Sequence, residues 1–144
     1  MSKSFSDIGG KQTEKAEVLT NPTSIFYTLD IDDVAGINDL YPVQKDAMEA
    51  WEKSYDSGSL NNLISLDTGR GKTLVGILIA ESLRRKTSGK ILYVCPNNNL
   101  VSQTISKAEQ YGIKVASYKN GIWQNEEGYL DGSLICVTNY HAVY

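Results

Sequence analysis

The stretch Leu66-Asp67-Thr68-Gly69-Arg70-Gly71-Lys72-Thr73 decides how the rest of this chain is read. A phosphate cradle needs glycines, so that backbone N–H groups can turn inward on an anion. It needs a helix N-terminus whose unpaired donors and dipole favour negative charge. It also needs a lysine to reach outer phosphates and a Ser/Thr hydroxyl for Mg²⁺. Gly69, Gly71, Lys72 and Thr73 meet those needs in order, with Thr68 and Arg70 completing the loop. The strict P-loop (Walker A) pattern has glycine where Leu66 stands. Asp67 reads as a solvated loop tip. Arg70, between the glycines, lies near phosphate or in solvent.

Outward from the loop, strands and helices alternate. Leu63-Ile64-Ser65-Leu66 is a short apolar run that predicts a strand. Residues 72 to 86 predict a helix whose apolar positions (Leu74, Val75, Leu78, Ile79, Leu83) are broad enough for deep burial. Ile91 to Cys95 predicts a second strand, stopped by Pro96, and Asn97 to about Tyr111 a helix with asparagines available as caps. Lys114 to Tyr118 and Leu134 to Val137 predict two more strands. Upstream, Val43, Ala47, Met48, Trp51 and Tyr55 recur at helical spacing behind Pro42. Such alternation means βαβ units, hence an α/β fold with a parallel sheet. Residues 1–24 are Ser/Thr/Lys/Glu-rich and predict a flexible extension, which leaves 25–144 for the domain.

Composition removes other classes. The chain has 144 residues, 41% of them hydrophobic, enough for one ordinary core. Two cysteines and one histidine argue against a disulfide scaffold or a Cys/His zinc site. No apolar run approaches a membrane span and the polar start lacks a signal-peptide core, so no membrane association is expected and an intracellular location, cytoplasmic or nuclear, is. The net charge of −3 argues against a compact basic nucleic-acid binder. That total hides an acidic front, with 5 basic and 11 acidic residues over 1–60, and a basic back, with 9 and 6 over 61–144.

The form Thr68-Gly-Arg-Gly-Lys-Thr73, without the leading glycine, resembles motif I of superfamily 2 helicases and translocases. Gly36-Ile-Asn-Asp-Leu-Tyr-Pro-Val-Gln44 resembles their Q-motif region, most closely the DEAD/DEAH-like and Ski2-like branches. There the glutamine reads the adenine edge, which suits Gln44 because an amide both donates and accepts. An aromatic about 17 residues earlier often stacks on adenine; Phe26 or Tyr27 stands near that place, and simple packing is the equal alternative for either. Tyr93-Val-Cys-Pro96-Asn97-Asn-Asn-Leu100-Val-Ser-Gln103 resembles motif Ia, which presents backbone N–H groups to a nucleic-acid phosphate. Val137-Thr138-Asn139-Tyr140 resembles the later strand-end motif whose threonine hydroxyl touches that backbone. Three asparagines replace the commoner Thr/Arg-type residues after Pro96.

The resemblance implies a P-loop NTPase of RecA-like architecture, binding ATP and Mg²⁺ through Gln44, Thr68, Gly69, Arg70, Gly71, Lys72 and Thr73. It implies DNA or RNA at Pro96, Asn97, Gln103 and Thr138. Hydrolysis in that superfamily also needs a strand ending in Asp-Glu-x-Asp/His and arginines from a second RecA-like domain. Asp32-Asp33 precedes the loop and Glu126-Glu127 follows Gln124-Asn125, so neither fits. The expectation is therefore an incomplete first domain, truncated before that motif and inactive alone, of a parent helicase or translocase. The alternative is a P-loop switch or phosphotransferase module that never meets nucleic acid. Of the other candidates, Cys95 and Cys136 read as reduced core residues, and Arg84-Arg85-Lys86 as the basic end of a helix. Trp51 and Trp123 read as packing.

Overall fold

A computed structural model describes residues 19–143. Helix α1 (Pro22–Phe26) starts on Asn21, whose side chain accepts from Thr23 N–H at 2.9 Å. A 3₁₀ turn, Asp33–Ala35, leads to α2 (Pro42–Asp56), with Pro42 in the first turn where its missing N–H costs nothing. The long loop after α2 ends in α3 (Lys72–Thr87). Then come β1 (Leu92–Cys95), α4 (Asn98–Gln110), β2 (Ala116–Lys119), β3 (Ile122–Gln124), α5 (Glu126–Leu130) and β4 (Cys136–Asn139). The fold is α/β, as the spacing predicts.

The sheet order is β1-β4-β2-β3. β4 is parallel to both neighbours, and its register sets Leu92 opposite Cys136 and Ser117 opposite Val137. β3 is antiparallel to β2 and was not expected. Its signal was present: Asn120-Gly121 has φ of 52° and 75°, the paired left-handed geometry of a tight hairpin. This parallel-dominated sheet with flanking helices is the arrangement of an incomplete RecA-like domain.

The core gathers between α3 and the sheet. Leu74, Ile77 and Leu78 are at most 2% exposed, each contributing about 1.5–3 kcal/mol of burial. Val101, Ile135 and Val137 are equally buried. The approach of α3 to β1 requires Gly76, where a Cβ would sit 2.9 Å from the Tyr93 ring.

Two expectations need correction. Leu63–Leu66 forms no strand: Leu63 is 98% exposed and only Leu66 is buried. An apolar run becomes a strand only where a ladder partner satisfies its backbone, and among the described residues none lies beside it. Among the described residues the β1 edge away from β4 is likewise unpaired. The expectation of a flexible stretch over 1–24 also fails at its described end. Residues 1–18 lie outside the described residues, but 19–24 are tied down. Ser82 Oγ donates to Thr20 O, Arg85 donates to Leu19 O at 3.0 Å, and Ile25 with Phe26 plugs the core beside α3. Composition suggested disorder because the anchoring apolar residues fall just after the polar run.

Candidate nucleotide and nucleic-acid site

The glycine loop ends on Gly71 with φ 72° and ψ 45°, left-handed backbone that glycine adopts without cost. Gly71 is also the residue from which α3 starts, and no side chain caps that helix. Its first-turn N–H groups therefore face outward beside an exposed Lys72, which among the described residues forms no ion pair. Gly69 is likewise left-handed, at φ 82°. Together these make an anion-accepting helix N-terminus. Thr73 is half-buried in the first turn, next to the Tyr93 hydroxyl. Thr68, Asp67 and Arg70 are exposed, and the loop is pinched by Arg70 N–H donating to Asp67 O at 3.2 Å.

Gln44 is the best-held polar group near the loop. It is 3% exposed, and both ends of its amide are engaged. Oε1 accepts from Tyr41 N–H at 2.8 Å, which caps α2; Nε2 donates to Gly71 O at 3.2 Å. One amide thus joins the helix start to the phosphate loop, and retains one N–H and one lone pair for a ligand. The fit is close: a Cβ on Gly71 would lie 2.3 Å from Gln44 Nε2.

Gln44, Gly69 and Gly71 share a cleft of about 370 Å³, within the range of small-molecule sites. Its other walls are the segment from Ala35 to Asp39, Tyr41, Leu74, and Lys107, Gln110 and Tyr111 at the end of α4. Neither aromatic weighed for stacking lines it. Phe26 is a core residue at 4% exposure, and the exposed Tyr27 donates its hydroxyl to Asp39 Oδ1 at 2.8 Å. That bond, with the Leu40 N–H and Lys45 alongside, holds the Asp39 carboxyl below its ordinary range. Tyr41 is the residue missed. It lines the cleft, is half exposed, and has the Arg70 guanidinium 5.9 Å from its ring centre. Its position three residues before Gln44, on the capping turn, was the available signal.

The second expected site is less uniform. Pro96, Asn97 and Gln103 are exposed at the start of α4. Asn97 caps α4 itself, accepting from Leu100 N–H at 3.0 Å. Thr138 departs from expectation: it is 3% exposed and its hydroxyl donates to Tyr118 O at 2.8 Å, bracing β4 against β2 instead of facing a ligand. Beside it lies a relay of amides that sequence reasoning did not find. Asn139 donates to Asn98, and Asn98 donates to Asn120 at 2.7 Å. Lys119, next to Asn120 in the chain, donates to Ser102 Oγ at 2.8 Å.

The remaining candidates are structural. Arg84 and Arg85 pair with the buried Glu81 at 3.0 and 3.4 Å, and Lys86 pairs with Glu52 above the Trp51 and Tyr55 rings. None is presented to a polyanion. Trp123 sits between Tyr118 and Tyr129. Burial raises the Cys95 thiol pKa and pushes that of Cys136 up to about 11, as expected of reduced core residues. Among the described residues no cluster of His, Cys, Asp or Glu could hold a metal by itself, and no helix is long and apolar enough to cross a membrane.

Residues 37–144 match the family described as type III restriction enzyme, res subunit. No curated protein and no solved structure matches the chain.

Proposed function

The chain belongs to the type III restriction enzyme res subunit family, a helicase-like domain of superfamily 2, and from that premise we propose that it is the ATP-binding front of a motor acting on DNA or RNA. The observation that carries this is the uncapped start of α3, on a left-handed Gly71 whose carbonyl is held by Gln44. The residues fit a nucleotide: a left-handed glycine turn where a Cβ on Gly71 would strike Gln44, a lysine at its lip, and an amide with unused capacity in the adjoining cleft.

Gly69 and Gly71, with Arg70 between them, would let backbone N–H groups at the start of α3 hold the phosphates of a bound nucleotide. Lys72 offsets the outer charge, and the Thr73 hydroxyl would hold Mg²⁺, with Thr68 at the loop entrance. Gln44 offers adenine its remaining N–H and lone pair. A bound Mg²⁺–ATP supplies the phosphoryl bond whose cleavage drives the motor. This chain's residues bind and orient it; carboxylates of a DEAD/DEAH-type motif and arginines of a second RecA-like domain belong to other parts of the working protein. The 144 residues therefore bind ATP without steady-state turnover. Pro96, Asn97 and Gln103 form a nucleic-acid backbone contact of modest strength, since the asparagines bring hydrogen bonds without added charge. A switch or phosphotransferase is not favoured by the family, and nothing in the fold calls for one.

Lys72→Ala tests this reading. ATP affinity, measured by calorimetry on the chain with Mg²⁺, should fall by more than about tenfold, because charge-assisted phosphate contacts are worth about 1.5–3 kcal/mol. Unchanged affinity would sink the phosphate-loop assignment.

A further inference from the structure

We propose that Tyr27 and Asp39 are positioning residues of the cleft: together they pin the wall running from Ala35 to Asp39 against α1 and α2, and so set the space left for the nucleoside. This rests on the nucleotide reading above and names what keeps the nucleoside end of the cleft in shape.

Asp39 is exposed, and a single surface ion pair there would hold little. Its Oδ1, however, gathers three partners from three places in the chain. The hydroxyl of Tyr27, the residue that ends α1, donates to it at 2.8 Å. The Leu40 N–H donates at 2.7 Å, and the Lys45 ammonium of α2 lies 3.5 Å away. Each partner is itself anchored. Tyr27 meets the buried Phe26 ring edge-on, with centroids 5.1 Å apart. Leu40 is 4% exposed, and Lys45 follows Gln44 on α2. A residue of the cleft wall is thus tied both to the core-plugged α1 and to the helix that carries Gln44.

The wall depends on such ties because its middle has little packing. Gly36 is left-handed at φ 64°, and a Cβ there would meet nothing within 4 Å. Val34 is 77% exposed, while Ala35 and Ile37 are only partly buried. At the far end, Asp32 N–H donates to the carbonyl of Gln110, another lining residue, at 2.8 Å. A wall released at Asp39 spends time in shapes that do not fit the nucleoside, and apparent affinity falls with the fraction that fits. Tyr27 therefore serves the cleft through its hydroxyl, from outside the lining.

The experiment compares two ligands on the intact 144-residue chain: ATP, and inorganic tripolyphosphate, which has the phosphates without the nucleoside. Tyr27→Phe, which loses only the hydroxyl, should weaken ATP by roughly two- to fivefold, the scale of one exposed charged contact, and leave tripolyphosphate unchanged. Asp39→Ala should weaken ATP at least as much, and adding Tyr27→Phe to it should bring no further loss, since both act through one contact. Asp39→Asn keeps an oxygen for Tyr27 and Leu40 and should hold ATP within about twofold of the parent. Parent-like ATP affinity in Tyr27→Phe would overturn the proposal, even where urea unfolding shows lost stability, because the contact would then be structural only. Equal losses for both ligands would make Tyr27 a support of the glycine loop and overturn it too. If Asp39→Asn is as weak as Asp39→Ala, Asp39 meets the ligand directly and is no positioning residue. If Lys72→Ala leaves tripolyphosphate binding intact, it is the phosphate-loop reading that fails; a loss there beside an unaffected Tyr27→Phe overturns the pin alone.

Discussion

Two helices in this molecule begin close to the same sheet, and they treat their N-termini in opposite ways. α3 starts from left-handed Gly71, with no side chain on its first N–H groups and Lys72 exposed beside them. α4 starts from Asn97 in extended backbone, at φ −152° and ψ 170°, and the Asn97 side chain accepts from Leu100 N–H. Next to it, Asn98 is held by Asn120 and Asn139. Every α-helix leaves its first N–H groups without intrahelical partners. At α3 no side chain answers them, whereas at α4 the protein answers part of the need itself. On the function proposed above, the difference separates a site for a multiply charged phosphate from a surface for a weaker backbone contact.

The strongest way to break this comparison is to put a side chain at the start of α3. Gly71→Ala would force a left-handed alanine and drive its Cβ to 2.3 Å from Gln44 Nε2. The backbone alone costs about 1–2 kcal/mol, and displacing Gln44 removes the bond to Gly71 O. Urea unfolding should show that loss or more, with ATP affinity reduced at least about tenfold. Gly69→Ala isolates the backbone cost, because a Cβ there meets nothing within 4 Å. Equal destabilisation by the two substitutions would show that the Gln44–Gly71 fit is loose and that the loop is not preorganised by α2.

That fit also shows how far the sequence could be read. Helices α2, α3 and α4 were legible because burial, capping and the Pro42 and Pro96 stops agree locally. The turn into α3 was legible because Gly-x-Gly ahead of a helix is itself a statement about backbone geometry. The Leu63–Leu66 run was not, since apolar content shows that a strand is possible while a ladder needs a partner elsewhere in the chain. The direction of Thr138 was not legible for a related reason: a hydroxyl at a strand end faces outward or inward according to register, and here its register sends it to Tyr118 O. The base end of the cleft was the least legible. Phe26 and Tyr27 had the expected spacing, yet the core took the first and Asp39 the second. The aromatic that lines the cleft is Tyr41, three residues before Gln44, whose amide folds back onto the Tyr41 N–H.

At α4 the corresponding substitution should act on stability and not on nucleotide. Asn97→Ala removes the acceptor for Leu100 N–H, and loss of such a cap costs about 1 kcal/mol. Chemical denaturation should register that fall, while ATP affinity at α3 stays where it was. A chain as stable as the parent would mean that water or the neighbouring amides serve the helix start equally well, and the contrast between the two N-termini would weaken.

The smallest effect is the most discriminating. Asn97→Asp keeps a capping oxygen and places negative charge where the helix dipole favours it, so stability should change by less than about 0.5 kcal/mol or rise slightly. The same charge stands where a phosphate of the nucleic-acid backbone would approach. Binding of a single-stranded oligonucleotide at low salt should therefore weaken, and the deficit should shrink as salt screens the added charge. Asn97→Ala, which alters the cap without adding charge, should leave oligonucleotide binding closer to that of the parent. If the two variants weaken the oligonucleotide equally, Asn97 contacts it through its amide. If neither does, the start of α4 is a self-satisfied helix end and the nucleic acid lies on another surface of the domain.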